Sequence, residues 1–211
     1  MLKFQTVILL FAVTFIAQPC LAISGVPDLY TSEAFIAYDG PGVPSLLVTP
    51  DGTGNRFTEA HDEQGNVVDA TITLFLRDGA GFPIANYPFE DLWLESIDGG
   101  LVFCIGGTIA DGNTDVQGVT QWVTPLFAGG FSHGPVLVII SGSALGSNPG
   151  LPLRFNSPDV NGDLRVNLQD ISILAIDYFT NYNFRCDLNG DSYLNLQDLP
   201  IFAEHFGAQC P

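Results

Sequence analysis

One stretch of the chain occurs twice. Asp159-Val160-Asn161-Gly162-Asp163-Leu164-Arg165-Val166-Asn167-Leu168-Gln169-Asp170 is followed, 28 residues on (187 − 159), by Asp187-Leu188-Asn189-Gly190-Asp191-Ser192-Tyr193-Leu194-Asn195-Leu196-Gln197-Asp198. Eight of the twelve positions are identical. A calcium loop takes side-chain oxygens from positions 1, 3, 5, 9 and 12 and a main-chain carbonyl from position 7. The first copy offers Asp159, Asn161, Asp163, Asn167 and Asp170, with the carbonyl of Arg165. The second offers Asp187, Asn189, Asp191, Asn195 and Asp198, with the carbonyl of Tyr193. A single loop of this composition would pass as a polar turn, because Asp, Asn and Gly favour turns. Two in register, each followed by an apolar helical pattern, point instead to two calcium ions.

The repeated pattern D-x-N-G-D-x-x-[VL]-N-L-x-D resembles the type I dockerin, a calcium-dependent module with which secreted bacterial proteins dock onto cohesins. The similarity covers about residues 157–210. It departs from the pattern in three places. Position 6, glycine in EF-hand loops and usually in dockerins, is Leu164 and Ser192. A non-glycine residue at positive φ costs about 1–2 kcal/mol, so weaker calcium binding is expected. Position 12 is Asp, shorter than the EF-hand Glu but usual for dockerins. Positions 10 and 11, which select the cohesin, are Leu168-Gln169 and Leu196-Gln197 rather than the common Ser/Thr pair. The resemblance therefore implies calcium more firmly than it implies a cohesin-like partner.

Those loops need elements to hold them. After the first, Leu168, Ile171, Leu174, Ala175 and Tyr178 follow helical spacing; after the second, Leu196, Leu199, Phe202, Ala203 and Phe206 do so. Gly207 is a natural end for the last helix. Val166 and Leu194, at position 8, are expected to meet in a short β-bridge coupling the two loops. The preceding junction, Asn148-Pro149-Gly150-Leu151-Pro152, is short and leads into the rather apolar Leu151–Phe155 stretch, so the two modules should pack on each other.

Residues 23–150 read as all-β, rich in Gly, Pro and short apolar runs, with no helix of useful length. Strands are expected near Ala34–Tyr38, Ser45–Thr49, Arg56–Ala60, Asp69–Leu76, Phe89–Ser96, Leu101–Ile105, Val119–Thr124 and Val136–Ser141. Short strands at this spacing suggest a two-sheet sandwich. Asp78-Gly79-Ala80-Gly81-Phe82-Pro83-Ile84 fits D-x-x-G-x-P-[IV], and Thr114-Asp115-Val116-Gln117-Gly118-Val119-Thr120 fits T-D-x-x-G-x-[TA]. In this order they resemble bacterial Ig-like domains of the invasin/intimin type, over about Val67 to Ser141. That resemblance implies an Ig-like, Greek-key sandwich and an extracellular setting, but no activity. Each phrase is physically a hairpin turn whose glycine supplies φ > 0.

Residues 1–22 read as a signal peptide: Lys3, a largely apolar Phe4 to Ala17, and a Cys20-Leu21-Ala22 cleavage site. The domain reading is thus 1–22 signal, 23–150 β-sandwich and 151–211 calcium module. The formal charge of −17 becomes −18 without Lys3, which speaks against nucleic acid or an anionic membrane as partner. Six of the aspartates sit in the two loops.

No catalytic set stands out. His61, His133 and His205 make no H-E-x-x-H pattern, and Ser141-Gly142-Ser143 does not fit G-x-S-x-G. Glu59, Glu63, Glu90, Asp91 and Glu95 would serve glycoside hydrolysis only at the right separation. Asp111–Asp115 is better explained as a turn than as a third calcium loop, and Trp93 and Trp122 as core rather than sugar-stacking residues.

Removal of Cys20 leaves Cys104, Cys186 and Cys210, an odd number. Cys186 and Cys210 look like the local pair, but an intervening helix of about eleven residues would span roughly 16 Å. A disulfide needs Cα atoms within about 7 Å. In an antiparallel pair of calcium hands the last helix should return toward Ser157, where the β region joins. Cys104, ending the Leu101–Ile105 strand, is expected there, giving a Cys104–Cys210 bridge with Cys186 free. The expected function is that of a secreted, non-catalytic calcium-binding protein for extracellular attachment or assembly. Its partner would be a cohesin-like protein or the cell surface, in a polysaccharide-degrading setting if dockerin behaviour carries over. A purely structural calcium module and a small carbohydrate-active enzyme are the alternatives.

Overall fold

The computed structural model describes residues 25–180 and 182–211; the expected signal segment, 1–22, lies outside the described residues. Among the described residues no helix is long and apolar enough to cross a membrane. The strands are β1 (Glu33–Ile36), β2 (Ser45–Leu47), β3 (Ala60–His61), β4 (Val67–Val68), β5 (Ile72–Phe75), β6 (Leu92–Ser96), β7 (Leu101–Phe103), β8 (Val119–Trp122), β9 (Ala128–Gly130), β10 (Val136–Ile140), β11 (Ser143–Ala144) and β12 (Arg154–Asn156). Two helices follow, α1 (Leu168–Tyr178) and α2 (Asp198–Glu204).

The sheets run β1-β5-β8, β11-β10-β6, β12-β2-β3-β4 and β7-β9. Among these strands every pairing is antiparallel except β12 with β2. They enclose a main core that includes Leu46, Phe57, Ile72, Leu74, Leu92, Leu94, Trp122, Val138 and Phe155, a β-sandwich-like body. In β5 burial alternates along Ile72-Thr73-Leu74-Phe75, as expected of a strand with one face inward. Trp122 is fully buried, with its indole N–H donating to the Thr108 carbonyl at 3.0 Å.

The expected strand at Arg56–Ala60 is instead a 3-10 turn, Phe57–Glu59, feeding the two-residue β3. The Glu59 carboxylate accepts the Arg56 N–H at 3.2 Å, which closes the turn and drives Phe57 into the core. Phe89–Asp91 is likewise a 3-10 turn before β6. The two Ig-like phrases form matching hairpin turns. Asp78 Oδ1 accepts N–H groups of Ala80 and Phe82, and Asp115 Oδ1 those of Gln117 and Val119. Gly81 and Gly118 take φ of 82° and 74°. The phrases also meet: the Leu76 N–H donates to the Gly118 carbonyl at 2.7 Å, and Thr114 Oγ1 to the Ile84 carbonyl at 2.7 Å.

A second, smaller core holds Leu47, Val160, Val166, Leu174, Cys186, Leu188, Phe202 and Ala208. Strand β2 is the wall between the two cores. Leu46 faces the main one and Leu47 the smaller one, because successive side chains on a strand point to opposite faces. Strand β12, which falls within residues 151–211, pairs in parallel with β2 and so belongs to the sheet. The loop-bearing segment packs directly on the β body, as the short junction implied.

Cys104 and Cys210 form a disulfide, Cα atoms 5.8 Å apart, and Cys186 is free and buried. Two details of the route differ from the expectation. α2 has seven residues, not about eleven. The chain then turns at Gly207 (φ 92°) and returns to positions 7 and 8 of the first loop rather than to Ser157. There Val166 exchanges main-chain hydrogen bonds with Gly207 and Ala208, and Arg165 bridges Gln209. Val166 therefore does not bridge Leu194; its main-chain groups are taken by the returning C-terminal residues, and the two residues share only the smaller core, Val166 within it and Leu194 packed against it.

Candidate metal centres

Both repeats fold as tight loops of the same shape. Position 4 is left-handed in each, Gly162 at φ 71° and Gly190 at φ 69°. Position 6 is left-handed as well, Leu164 at φ 64° and Ser192 at φ 66°, so these side chains sit where glycine would be unstrained. Asx turns set the spacing. Asn161 Oδ1 accepts the Asp163 N–H at 2.9 Å and Asp163 Oδ1 the Arg165 N–H at 3.0 Å. In the second loop Asn189 Oδ1 accepts the Asp191 N–H at 3.2 Å and Asp191 Oδ1 the Tyr193 N–H at 2.9 Å.

Positions 9 and 12 do two jobs. Asn167 caps α1 by accepting the Gln169 N–H at 2.8 Å, while Asp170 reaches back to the Asn167 N–H at 2.9 Å, a capping box. Asp170 Oδ1 also accepts the Asn161 N–H at 3.1 Å, tying the loop's start to its end. Asn195 and Asp198 make the same bonds, Gln197 N–H to Asn195 Oδ1 at 2.8 Å, Asn195 N–H to Asp198 Oδ2 at 2.8 Å and Leu188 N–H to Asp198 Oδ1 at 2.8 Å, but here they close a turn ahead of α2, which begins at Asp198 without a side-chain cap. Pro200 falls in the first turn of α2, where its missing N–H has no helical partner to lose.

The first and last aspartates, Asp159, Asp170, Asp187 and Asp198, are all buried, and the donors between them are more exposed. Burial pushes the Asp159 carboxyl up to about 6, with the Asp170 and Asp163 carboxylates adding to it. Asp187 is likewise pushed up to about 6 by burial, against the lowering hydrogen bond from Tyr182, with Asp198 and Asp191 adding. Burial raises Asp198 too. Asp187 Oδ1 has no hydrogen-bond partner. Buried carboxylates brought close enough to raise one another favour a cation among them. Among the described residues no group of three or more His, Cys, Asp or Glu side chains is placed to hold a metal ion.

The β body grips both loops. Gly129 lies against the Asp159 carboxylate with no room for a Cβ, and the Gly130 N–H donates to the Asp159 carbonyl at 2.7 Å. Gly190 sits on Ser45 and His61, and Ser192 Oγ donates to the Glu63 carbonyl at 3.0 Å. Asn156 on β12 donates from its side chain to the Asp187 carbonyl. Tyr182 donates its hydroxyl to Asp187 Oδ2 at 2.8 Å. Gly129, Asn156 and Tyr182 carry no signal in the repeat itself, since they lie outside its twelve positions.

The other candidate residues have ordinary structural partners. Asp111 Oδ2 accepts main-chain N–H groups of Val123 and Thr124 at 2.7 and 3.3 Å, which is turn chemistry. Glu63 pairs with Arg154 at 3.4 Å, and Glu95 accepts the Trp93 indole N–H at 2.8 Å. His205 lies 3.1 Å from Thr53 Oγ1, and the His133 ring packs on Phe184 at 4.5 Å.

No family model matches the chain, and no curated protein matches it. A solved structure described as the Lin-41 filamin domain is similar over 61% of this chain and 96% of that one, at 13% identity and a TM-score of 0.29. A likeness of that degree carries no weight for the function of this chain.

Proposed function

We propose that this chain is a secreted calcium-binding protein whose two dockerin-like loops hold one ion each, carried on an Ig-like sandwich, and that it serves extracellular attachment or assembly. The supporting observation is the pairing, in both loops, of a left-handed position 6 with a buried aspartate at position 1. A left-handed position 6 makes the turn that a calcium loop needs. The chain accepts that strain at Leu164 and Ser192 although neither is glycine. Calcium, when bound, supplies positive charge against three aspartates per loop. Asp159, Asn161, Asp163, Asn167, Asp170 and the Arg165 carbonyl would hold one ion. Asp187, Asn189, Asp191, Asn195, Asp198 and the Tyr193 carbonyl would hold the other.

Attachment is supported by the outer face of the helices. Leu168 and Leu196, at position 10, are exposed, and Ile171, Leu174, Leu199, Phe202, Ala203 and Phe206 line an apolar groove of about 380 Å³. A cohesin-like protein is the partner class that the resemblance implies. A structural role without a partner is favoured by a different feature: both loops are gripped by the β body and the C-terminus is tied to it covalently. Calorimetry on the chain lacking residues 1–22 tests the calcium assignment. Two ions should bind, and Asp159→Ala and Asp187→Ala should each remove one. Absence of calcium heat at millimolar ion would overturn it. Binding to immobilised cohesins then separates attachment from the structural role.

A further inference from the structure

We infer that the second loop is the stronger calcium site and fills first, and that Tyr182 is the positioning residue that makes it so; this rests on the calcium assignment above. The loops are near-copies in sequence but hold their first aspartate differently. In the first, both carboxylate oxygens of Asp159 are taken: Oδ1 accepts the Asp163 N–H at 3.1 Å and Oδ2 the Leu164 N–H at 2.8 Å. In the second, two donors converge on Asp187 Oδ2, the Ser192 N–H at 2.9 Å and the Tyr182 hydroxyl at 2.8 Å. Oδ1 is left without a partner although Asp187 is only 1% exposed.

Among the described residues one other buried side-chain oxygen lacks a partner, Asn156 Oδ1. Asn156 is bonded to Asp187 through its side-chain amide and the Asp187 carbonyl. Unfilled acceptor capacity in the buried part of the molecule is thus concentrated beside the second loop. Buried acceptors are nearly always paired, so an unpaired carboxylate oxygen at position 1 of a loop of oxygen donors marks where a cation is stabilised most. A cation reaching Asp187 meets a carboxylate oxygen that no N–H contests. At Asp159 it must compete with the Asp163 N–H.

Tyr182 is particular to the second repeat. Five residues before Asp159 the equivalent position is Arg154, which pairs with Glu63 at 3.4 Å and lies 5.7 Å from the centre of the Phe184 ring. By fixing Oδ2, the Tyr182 hydroxyl fixes the rotation of the carboxylate and so the direction of Oδ1. Outer-shell donors of this kind commonly change metal affinity by about 10–100-fold.

Terbium, a calcium-sized ion with tyrosine-sensitised emission, reads the loops separately. The second loop has Tyr193 within it and Tyr182 against it; the matching positions of the first are Arg165 and Arg154. In the chain lacking residues 1–22, sensitised emission should saturate with the first equivalent of terbium, and calcium calorimetry should resolve two classes of site. Asp163→Ala, in the first loop, should keep the emission, and Asp191→Ala should lose it. Tyr182→Phe should weaken the tighter site about tenfold or more, leaving the weaker site unchanged. No calcium heat and no emission in the unsubstituted chain would overturn the calcium assignment and this inference with it. Equal affinities, emission that lags the first equivalent, or a Tyr182→Phe change below twofold would overturn this inference alone. So would a Tyr182→Phe chain that weakens both sites alike, since its role would then be structural.

Discussion

Replacing both Cys104 and Cys210 by Ala removes a cross-link that closes a loop of 106 residues. In the chain-entropy treatment a loop of about that length restricts the unfolded state by about 4.7 kcal/mol. The native state should change little, because Gly207 and Ala208 are still held by main-chain hydrogen bonds to Val166, and Ala208 stays in the smaller core. Most of the loss should therefore appear as lower stability. With a urea slope of about 2 kcal/mol/M, the unfolding midpoint should fall by about 2 M. Fluorescence of the fully buried Trp122 follows the β body, and the comparison is made at one calcium concentration throughout. A midpoint shift below about 0.5 M at unchanged slope would refute the entropy argument. The C-terminal residues would then be held by packing so firmly that the covalent tie adds little.

Three other positions respond to local perturbations. Cys186 should not react with a thiol reagent in the native protein and should react in urea, since burial and the neighbouring Asp177 push its thiol pKa up; a native reaction would contradict its position. Leu164→Gly should relieve a left-handed strain of about 1–2 kcal/mol, offset by about 0.5–1 kcal/mol of glycine entropy, and tighten calcium at the first loop. Calorimetry showing weaker binding would count against strain at that position. Asp98 is raised by burial, but hydrogen bonds from Gly100, Ser132 and Gly134 outweigh this and hold it down at about 2. Its contribution is thus present above pH 4 and is lost as pH falls toward 2. Asp98→Asn should lower the urea midpoint at pH 6, and the gap from the parent should close by pH 2; a gap independent of pH would show that the charge is immaterial.

The parts of this molecule that were legible in its sequence are those whose function is local. A tight loop built on Asx turns writes its Asp, Asn and Gly at fixed spacing, so the matching shape of the two repeats could be read residue by residue. The Asp78 and Asp115 turns were legible for the same reason, each being an Asx turn closed by a left-handed glycine. The Cys104–Cys210 bridge followed from elimination among three thiols, although α2 proved shorter and the returning chain met Val166 instead of Ser157. Pairings between distant segments were not legible. Strand β12 has polar residues on either side of Phe155 and meets β2 more than a hundred residues away in sequence, in parallel, which no local periodicity encodes. Strand β9 is Ala-Gly-Gly, with no side-chain pattern, because its task is to let the backbone approach Asp159. Leu46 and Leu47 read as one apolar run, yet they serve two cores.

The bridge between Cys104 and Cys210 also decides how the molecule carries load. Tension applied between the β body and the last residue passes from Cys210 straight into Cys104. Residues 105–209 then lie on a slack branch, parallel to a covalent strut. That branch contains β8 to β12, both repeats and both helices. A pull at the C-terminal end cannot draw the loops open while the strut holds. In single-molecule pulling, the oxidised chain should lengthen by the residues before Cys104 alone, and only a reductant should release the rest.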